Sequence, residues 1–327
     1  MTLRLLVTKK GARYTLLYNL LQKFLSPLDL ILSLILGIFN RKPEPCIEDN
    51  SQSPVVFIIG LPRSGTTILY QKISEYYNVI YTSNFWSLFP FSGKYFKRLI
   101  TLTPPKNDVK SFYGNSRHLN GVQEGGAILK RWFGNSHFLA NISDQKMVSF
   151  RKEIEWLHNN FKLPVLIKNT RNCLKIKLLY KIFPQAKFII VDRDKLDIAY
   201  SLYRGRLDFG GIDKNFTTSP PELAQYQNRD PYFQIAAQVF YLKKHMEQQL
   251  KQIPEKNFIR VHYSQLKENP HETLRNINTF FDFELRDNKG KKFSSAPLQA
   301  KKRKQKPDII YKFQTAFQEL YDTQGED

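Results

Sequence analysis

The segment Val55-Val-Phe-Ile-Ile59 runs directly into Gly60-Leu-Pro-Arg-Ser-Gly65 and then into Thr66-Thr-Ile-Leu-Tyr-Gln71. No other feature narrows the fold as much. An unbroken apolar, β-branched run describes a strand buried on both faces, which means a parallel sheet covered by helices. The Gly-bracketed turn that follows, and the helical spacing of Thr66 to Tyr77, complete a strand–loop–helix unit. Such a unit is an anion cradle, because the N–H groups of the turn converge and the helix dipole adds positive potential.

Gly60 and Gly65 stand at the spacing of a nucleoside-triphosphate loop. That loop needs Lys and then Ser or Thr directly after its second glycine. Here Thr66 follows Gly65, and the cation lies inside the turn at Arg63. This placement suits an anion bound at the centre of the loop and argues against ATP hydrolysis.

The rest of the chain repeats the rhythm. Val165 to Ile167 reads as a short strand, with Asn172 as cap of a helix that carries Leu174, Ile176, Leu178, Leu179 and Ile182. Lys187 to Val191 is a second buried strand with Asp192, Arg193 and Asp194 at its carboxyl end, and a helix resumes near Lys195. Asp230 and Pro231 are cap and first residue of a helix to Leu250. Phe258 to Val261 is a further strand, and Asn269-Pro270 opens a helix through Phe280. Strands alternating with helices predict an α/β fold, a P-loop-like, doubly wound and mostly parallel sheet. Ligands of such sheets bind at the carboxyl ends of the strands, where the Gly60 loop and Arg193 both fall.

Residues 84–160 lose this rhythm. They are rich in Phe, Trp and Tyr with scattered Gly and Asn, and they read as a helical and loop lid inserted over the sheet, where an acceptor would be recognised. The expected organisation is an apolar and basic N-terminal segment over 1–40, a linker over 41–54, a main domain over 55–288 with its lid at about 84–160, and a basic C-terminal segment over 289–327.

Fifty Lys and Arg against 29 Asp and Glu give a net charge of +21, which predicts an anionic partner. No nucleic-acid-binding motif accompanies the charge, so nucleic acid is not expected. Two cysteines, Cys46 and Cys173, form neither a zinc pattern nor a disulfide framework, no metal site is expected, and a reducing, cytoplasmic compartment fits best. The apolar run 27–39 is too short to span a bilayer as one helix, whereas 16–39 is long enough but carries Asn19, Gln22, Lys23, Ser26, Pro27 and Asp29. Arg4, Lys9, Lys10, Arg13 and Lys23 accompany it. A segment lying on an anionic membrane surface, at the inner face, and a helix packed on the domain both fit, with a transmembrane anchor third.

Gly60 to Thr67, preceded by Phe57-Ile-Ile59, resembles the 5′-phosphosulfate loop of the sulfotransferases that use 3′-phosphoadenosine-5′-phosphosulfate (PAPS). The nearest pattern is the branch of bacterial carbohydrate-type and tyrosylprotein enzymes, where the loop reads Pro-Arg-Ser-Gly-Thr-Thr. Arg193 and Ser201, eight residues apart, resemble the family's grip on the 3′-phosphate. The likeness continues through Lys168-Asn-Thr-Arg-Asn172 and Val261-His-Tyr-Ser-Gln-Leu266, and covers roughly residues 55–285. It implies that Arg63, Ser64, Gly65, Thr66, Thr67, Arg193 and Ser201 bind PAPS, that 3′,5′-ADP is released, and that no metal takes part. Arg63 would neutralise the leaving phosphate. The acceptor would offer a hydroxyl or amine, with a saccharide first and a lipid-linked group second.

A general base for the acceptor is also implied. Tyrosylprotein sulfotransferases carry Glu shortly after the first helix, but Tyr81 to Trp86 holds no carboxylate, which removes the main argument for a tyrosine acceptor. The segment 115–126 offers Glu124 and then His118, with His137 third. Two rival readings stay open: a nucleotide kinase that uses Asp192 for Mg²⁺, and a non-enzymatic protein that binds an anionic ligand or membrane.

Overall fold

Strand β1 (Val55–Ile59) is buried from end to end, and its side chains sort by parity. Val55, Phe57 and Ile59 enter one apolar core, while Val56 and Ile58 enter a second core on the opposite face. Phe188 and Ile190 of β4 (Lys187–Asp192) join the first, and Ile189 and Val191 the second. Both faces of the sheet are therefore covered, which is why these strands read as continuous apolar runs rather than alternating ones. Each such side chain contributes about 1.5–3 kcal/mol by leaving water.

The computed structural model describes residues 10–39, 55–96, 118–134, 142–215, 217–286 and 305–324. With β2 (Ile80–Tyr81), β3 (Val165–Lys168) and β5 (Phe258–His262), the strands form one sheet in the order β2-β3-β1-β4-β5. Every pairing is parallel. The chain leaves β3 on one side of β1 and returns as β4 on the other, so the order reverses at β1. That reversal opens a crevice at the carboxyl ends of β1 and β4.

One face carries α2 (Thr66–Tyr76), α9 (Tyr263–Glu268) and α10 (Pro270–Phe281). The other carries α4 (Gly126–Phe133), α5 (Asp144–Phe161), α6 (Ile176–Ile182), α7 (Lys195–Asp208), α8 (Pro231–Leu250) and α11 (Pro307–Gln324). Asp230 caps α8 as expected, accepting from the Tyr232 N–H at 2.7 Å. The turn after β3 is different from the expectation. Asn172 does not cap the helix: Asn169 caps a 3₁₀ turn over Thr170–Leu174, accepting from the Arg171 N–H at 2.9 Å, and α6 then starts with Lys175 at its N-cap position and no side-chain cap. Asn172 lies inside that turn, where its carbonyl accepts from Lys175 N at 2.9 Å.

The lid region contains more regular structure than its composition advertises. It holds α3 (Asn84–Leu88), a 3₁₀ turn at Gly93–Phe96, and the helices α4 and α5. Buried Glu153 of α5 ties these together through Arg131 of α4 at 2.9 Å and Lys94 at 3.3 Å. At the far end, Ile309, Phe313, Ala316, Phe317 and Leu320 recur at helical spacing and seat α11 on α7 and α8. The N-terminal segment is a single helix, α1 (Lys10–Phe39), which continues through Pro27 and packs beside α3. Its part Leu20–Phe39 is long and apolar enough to cross a membrane by length and composition.

Ile58→Ala, at the centre of the sheet, should lower unfolding free energy by about 2–5 kcal/mol, seen as an earlier urea midpoint with an unchanged slope. Tyr311→Ala on the exposed side of α11 should stay within about 0.5 kcal/mol of the parent.

Candidate functional site

The turn that follows β1 is shaped by two glycines. A Cβ on Gly60 would stand 2.6 Å from Ser64 Oγ and 3.0 Å from the Val191 carbonyl of β4, so only glycine lets the loop pass this close over the sheet. Gly65 adopts φ +103, and a side chain there would run into the ring of Tyr263, the first residue of α9. Between them Arg63 also has a left-handed backbone, φ +73, uncommon for a residue with a Cβ. Ser64 N–H donates to Leu61 O at 3.0 Å and closes the turn. Thr66 and Thr67 begin α2 beyond it, with their backbone at the helix's positive end.

Arg193 stands just past β4, and Ser201 lies two helical turns along α7. The structure brings both to the loop. Arg63 Nε donates to Ser201 Oγ at 2.9 Å, across 138 residues of chain. Arg193 Nη1 donates to the Arg63 carbonyl at 3.0 Å. The Arg193 guanidinium also lies 4.6 Å from the centre of the Tyr263 ring and pairs with Asp197 at 3.3 Å. Asp197 in turn accepts from Gln305 Nε2 at 2.7 Å, just before α11. Two clusters widely separated in sequence thus share one cationic crevice at the carboxyl ends of β1 and β4.

A third element comes from β3. Lys168 closes that strand with a side chain only 1% exposed, and its ammonium donates to Thr67 Oγ1 at 3.0 Å. The same ammonium forms an ion pair with the Glu124 carboxylate. Asn169 Nδ2 donates to the Glu124 carbonyl at 3.1 Å. Glu124 is thereby fastened from below by the end of β3 and set beside the first turn of α2. His118 lies in the turn before it, where its carbonyl accepts from Asn84 Nδ2 at 2.8 Å and Gly121 N at 2.9 Å. His137 lies outside the described residues. Glu124 is joined to the loop through Lys168, which bonds both its carboxylate and Thr67.

Lys168 was visible in sequence only as part of a basic strand-end segment. Its signal was a lysine closing an otherwise apolar strand, at the edge where ligands bind. Tyr263 gave no chemical signal, because its part is to face Gly65 and Arg193. Gln123 was equally silent. Its side-chain oxygen accepts from Ser87 Oγ at 2.6 Å and from Gly125 N at 2.5 Å, which orders the backbone around Glu124.

Ser64 Oγ is buried and makes no hydrogen bond within the described residues. An unsatisfied hydroxyl in the turn that carries Arg63 fits an anionic oxygen. Among the described residues, no group of three or more His, Cys, Asp or Glu side chains is placed to hold a metal ion. Buried Cys173 is not a nucleophile, since desolvation pushes its thiol up to about 12.

These features can be set beside known proteins. The chain is similar to solved sulfotransferases. STF1 of Mycobacterium tuberculosis H37Rv matches with a TM-score of 0.51 at 14% identity, over 82% of this chain and 77% of that one. STF9 of Mycobacterium avium matches at 0.48 and 13% identity, over 85% and 70%. No curated protein matches the sequence. The profile of the sulfotransferase family matches residues 54–287. The chain belongs to the sulfotransferase family, whose enzymes transfer a sulfuryl group.

Proposed function

We propose that this enzyme takes the sulfuryl group from PAPS and places it on a hydroxyl or amine of a saccharide or glycolipid acceptor, releasing 3′,5′-ADP. The observation that carries this reading is the meeting of Arg63 with Ser201 and of Arg193 with the Arg63 carbonyl. A donor with phosphate groups at both 3′ and 5′ positions needs two anion grips at a fixed spacing, and a single triphosphate does not. The catalytic unit in this reading is 55–288, with the acceptor side formed by 84–160.

Arg63, Ser64 Oγ and the N–H groups of Gly65, Thr66 and Thr67 would hold the 5′ end of the donor, and Arg193 with Ser201 the 3′-phosphate. The donor supplies the sulfuryl group on a phosphate leaving group. Charge that develops on that phosphate is met by Arg63 and the loop N–H groups, already placed before reaction. The acceptor's proton passes to the Glu124 carboxylate as its oxygen or nitrogen bonds to sulfur and the sulfur–phosphate oxygen bond breaks. Lys168 holds Glu124 and Thr67 in one arrangement, so base and donor loop keep their separation. The lid's aromatic side chains suit stacking on a sugar ring.

A kinase reading is less well supported. Asp192, the strand-end acid that a kinase would use for Mg²⁺, has its carboxylate accepting from Arg260 at 3.0 Å. Thr66 occupies the place of the phosphate-reaching lysine.

Heating with 3′,5′-ADP and no Mg²⁺ should raise the melting temperature, the stabilisation reaching about 2.7 kcal/mol at a hundredfold excess over Kd. Arg63→Ala and Arg193→Ala should each remove that protection. Protection by ATP with Mg²⁺ alone would reverse the reading in favour of a kinase. With labelled PAPS and a panel of saccharide acceptors, Glu124→Gln should cut kcat by about 10²–10⁴-fold while leaving 3′,5′-ADP protection in place. Gly65→Ala should lose protection, because its Cβ meets Tyr263 and its φ becomes strained.

A further inference from the structure

Helix α1 has its polarity reversed for a helix in water. At ~100° per residue, Gln22, Leu25, Ser26, Asp29, Leu32, Ser33, Leu36 and Gly37 fall on one half of its circumference. These are its less exposed positions and face the domain. Leu20, Leu21, Phe24, Leu28, Leu30, Ile31, Leu34, Ile35, Ile38 and Phe39 fall on the other half and are exposed, Phe24 by 82% and Leu34 by 72%. Every uncharged polar side chain between 20 and 39, and the one acid, is turned inward.

The inward side is bonded, not merely adjacent. Asp29 is 0% exposed and accepts from Phe91 N at 3.0 Å, Ser92 N at 2.8 Å and Ser92 Oγ at 2.6 Å. Gln22 Nε2 donates to Ser87 O at 3.0 Å. A Cβ on Gly37 would stand 3.4 Å from Tyr95 Oη. Contacts from Gln22 to Gly37 hold the helix lengthwise over ~22 Å at ~1.5 Å per residue. A helix fastened along its flank to the lid cannot also stand across a bilayer, since the lid's polar backbone would enter hydrocarbon with it.

Lys23 stands on the exposed side, and the sequence ahead of it holds Arg4, Lys9, Lys10 and Arg13, with no Asp or Glu among the first 28 residues. An exposed apolar helix face in a basic stretch of sequence suits the headgroup region of an anionic membrane.

We propose that α1 is a docking face for an anionic lipid bilayer. It lies in the plane of the interface, with Asp29 and Gln22 fastening the lid to it. This inference is independent of the donor assignment. It commits to a membrane surface rather than to a second copy of the chain.

The full-length protein should float with vesicles of mixed phosphatidylglycerol and phosphatidylcholine, and far less with phosphatidylcholine alone. The double variant Leu34→Glu, Ile38→Glu should bind the anionic vesicles at least tenfold less tightly, since two apolar side chains are withheld from the membrane and two anionic charges are set against it. Both positions are exposed, so its thermal unfolding without lipid should match the parent, and Lys23→Gln should weaken vesicle binding without changing folding. Vesicle binding that is absent, or unchanged in the double variant, overturns the proposal. So does a parent that sediments as a dimer, does not float with vesicles, and becomes monomeric in the double variant. Protection by 3′,5′-ADP, measured on the same samples, reports separately on the donor site.

Discussion

The parallel pairing of β1 with β4 is the constraint on which the site depends. The register Ile59 to Ile190 brings the two strands to their carboxyl ends side by side. Gly60 then passes against the Val191 carbonyl, and Arg193, two residues further along β4's exit, reaches the Arg63 carbonyl. A shift of this register would separate Arg63 from Arg193 and Ser201, and no side-chain change nearby would restore their contacts. The cores on both faces hold the register, because each strand side chain has a fixed face and a slip moves all of them at once.

The third strand adds the chemistry that the first two lack. Pairing of β1 with β3 sets Ile58 opposite Lys168, so the lysine emerges below the first turn of α2. There its charge is divided between Thr67 and Glu124. A buried ammonium is costly to leave unpaired. The ion pair with Glu124 therefore makes the position of the lid's carboxylate part of the stability of the sheet. The lid is linked outward as well, since Gln123 is bonded to Ser87 and Ser87 O to Gln22 of α1. One chain of contacts leads from the strand end to the apolar helix on the surface.

What could be read in advance, and what could not, follows from the range of each interaction. β1, β3 and β4 were legible because burial on both faces leaves an apolar run in the local sequence, and the edge strand β5 was legible from Phe258, Ile259 and Val261 although it is only partly buried. The loop and the Arg193–Ser201 pair could be named because each is a local spacing, and the fold brings the two together. β2 was missed because two residues carry no period. Helix α5 was obscured by its aromatic neighbours, although Phe150, Ile154 and Leu157 keep helical spacing. Glu124 could be named but not placed, since its partner Lys168 lies 44 residues away and the ion pair is a product of the fold. Asn172 was assigned as the helix cap because propensity does not reveal the 3₁₀ turn, capped by Asn169, that moves the start of α6 past Lys175.

The charge excess takes on a more definite meaning in the structure. Part of it never faces a ligand. Arg206 is 1% exposed and is spent on Ile212 O, Asn215 Oδ1 and Gln238 Oε1, and burial draws its guanidinium down to about 10. Lys175 is similarly enclosed, with desolvation lowering its ammonium to about 8. These cations order the fold at a desolvation cost. In the proposed reading the remaining charge serves two ends: Arg63 and Arg193 beside the loop would meet a small, doubly phosphorylated ligand, and Lys23 with the basic sequence ahead of it would meet a membrane surface. Of these two proposed affinities the second should weaken more steeply with salt, because Lys23 is exposed to water where counterions screen it.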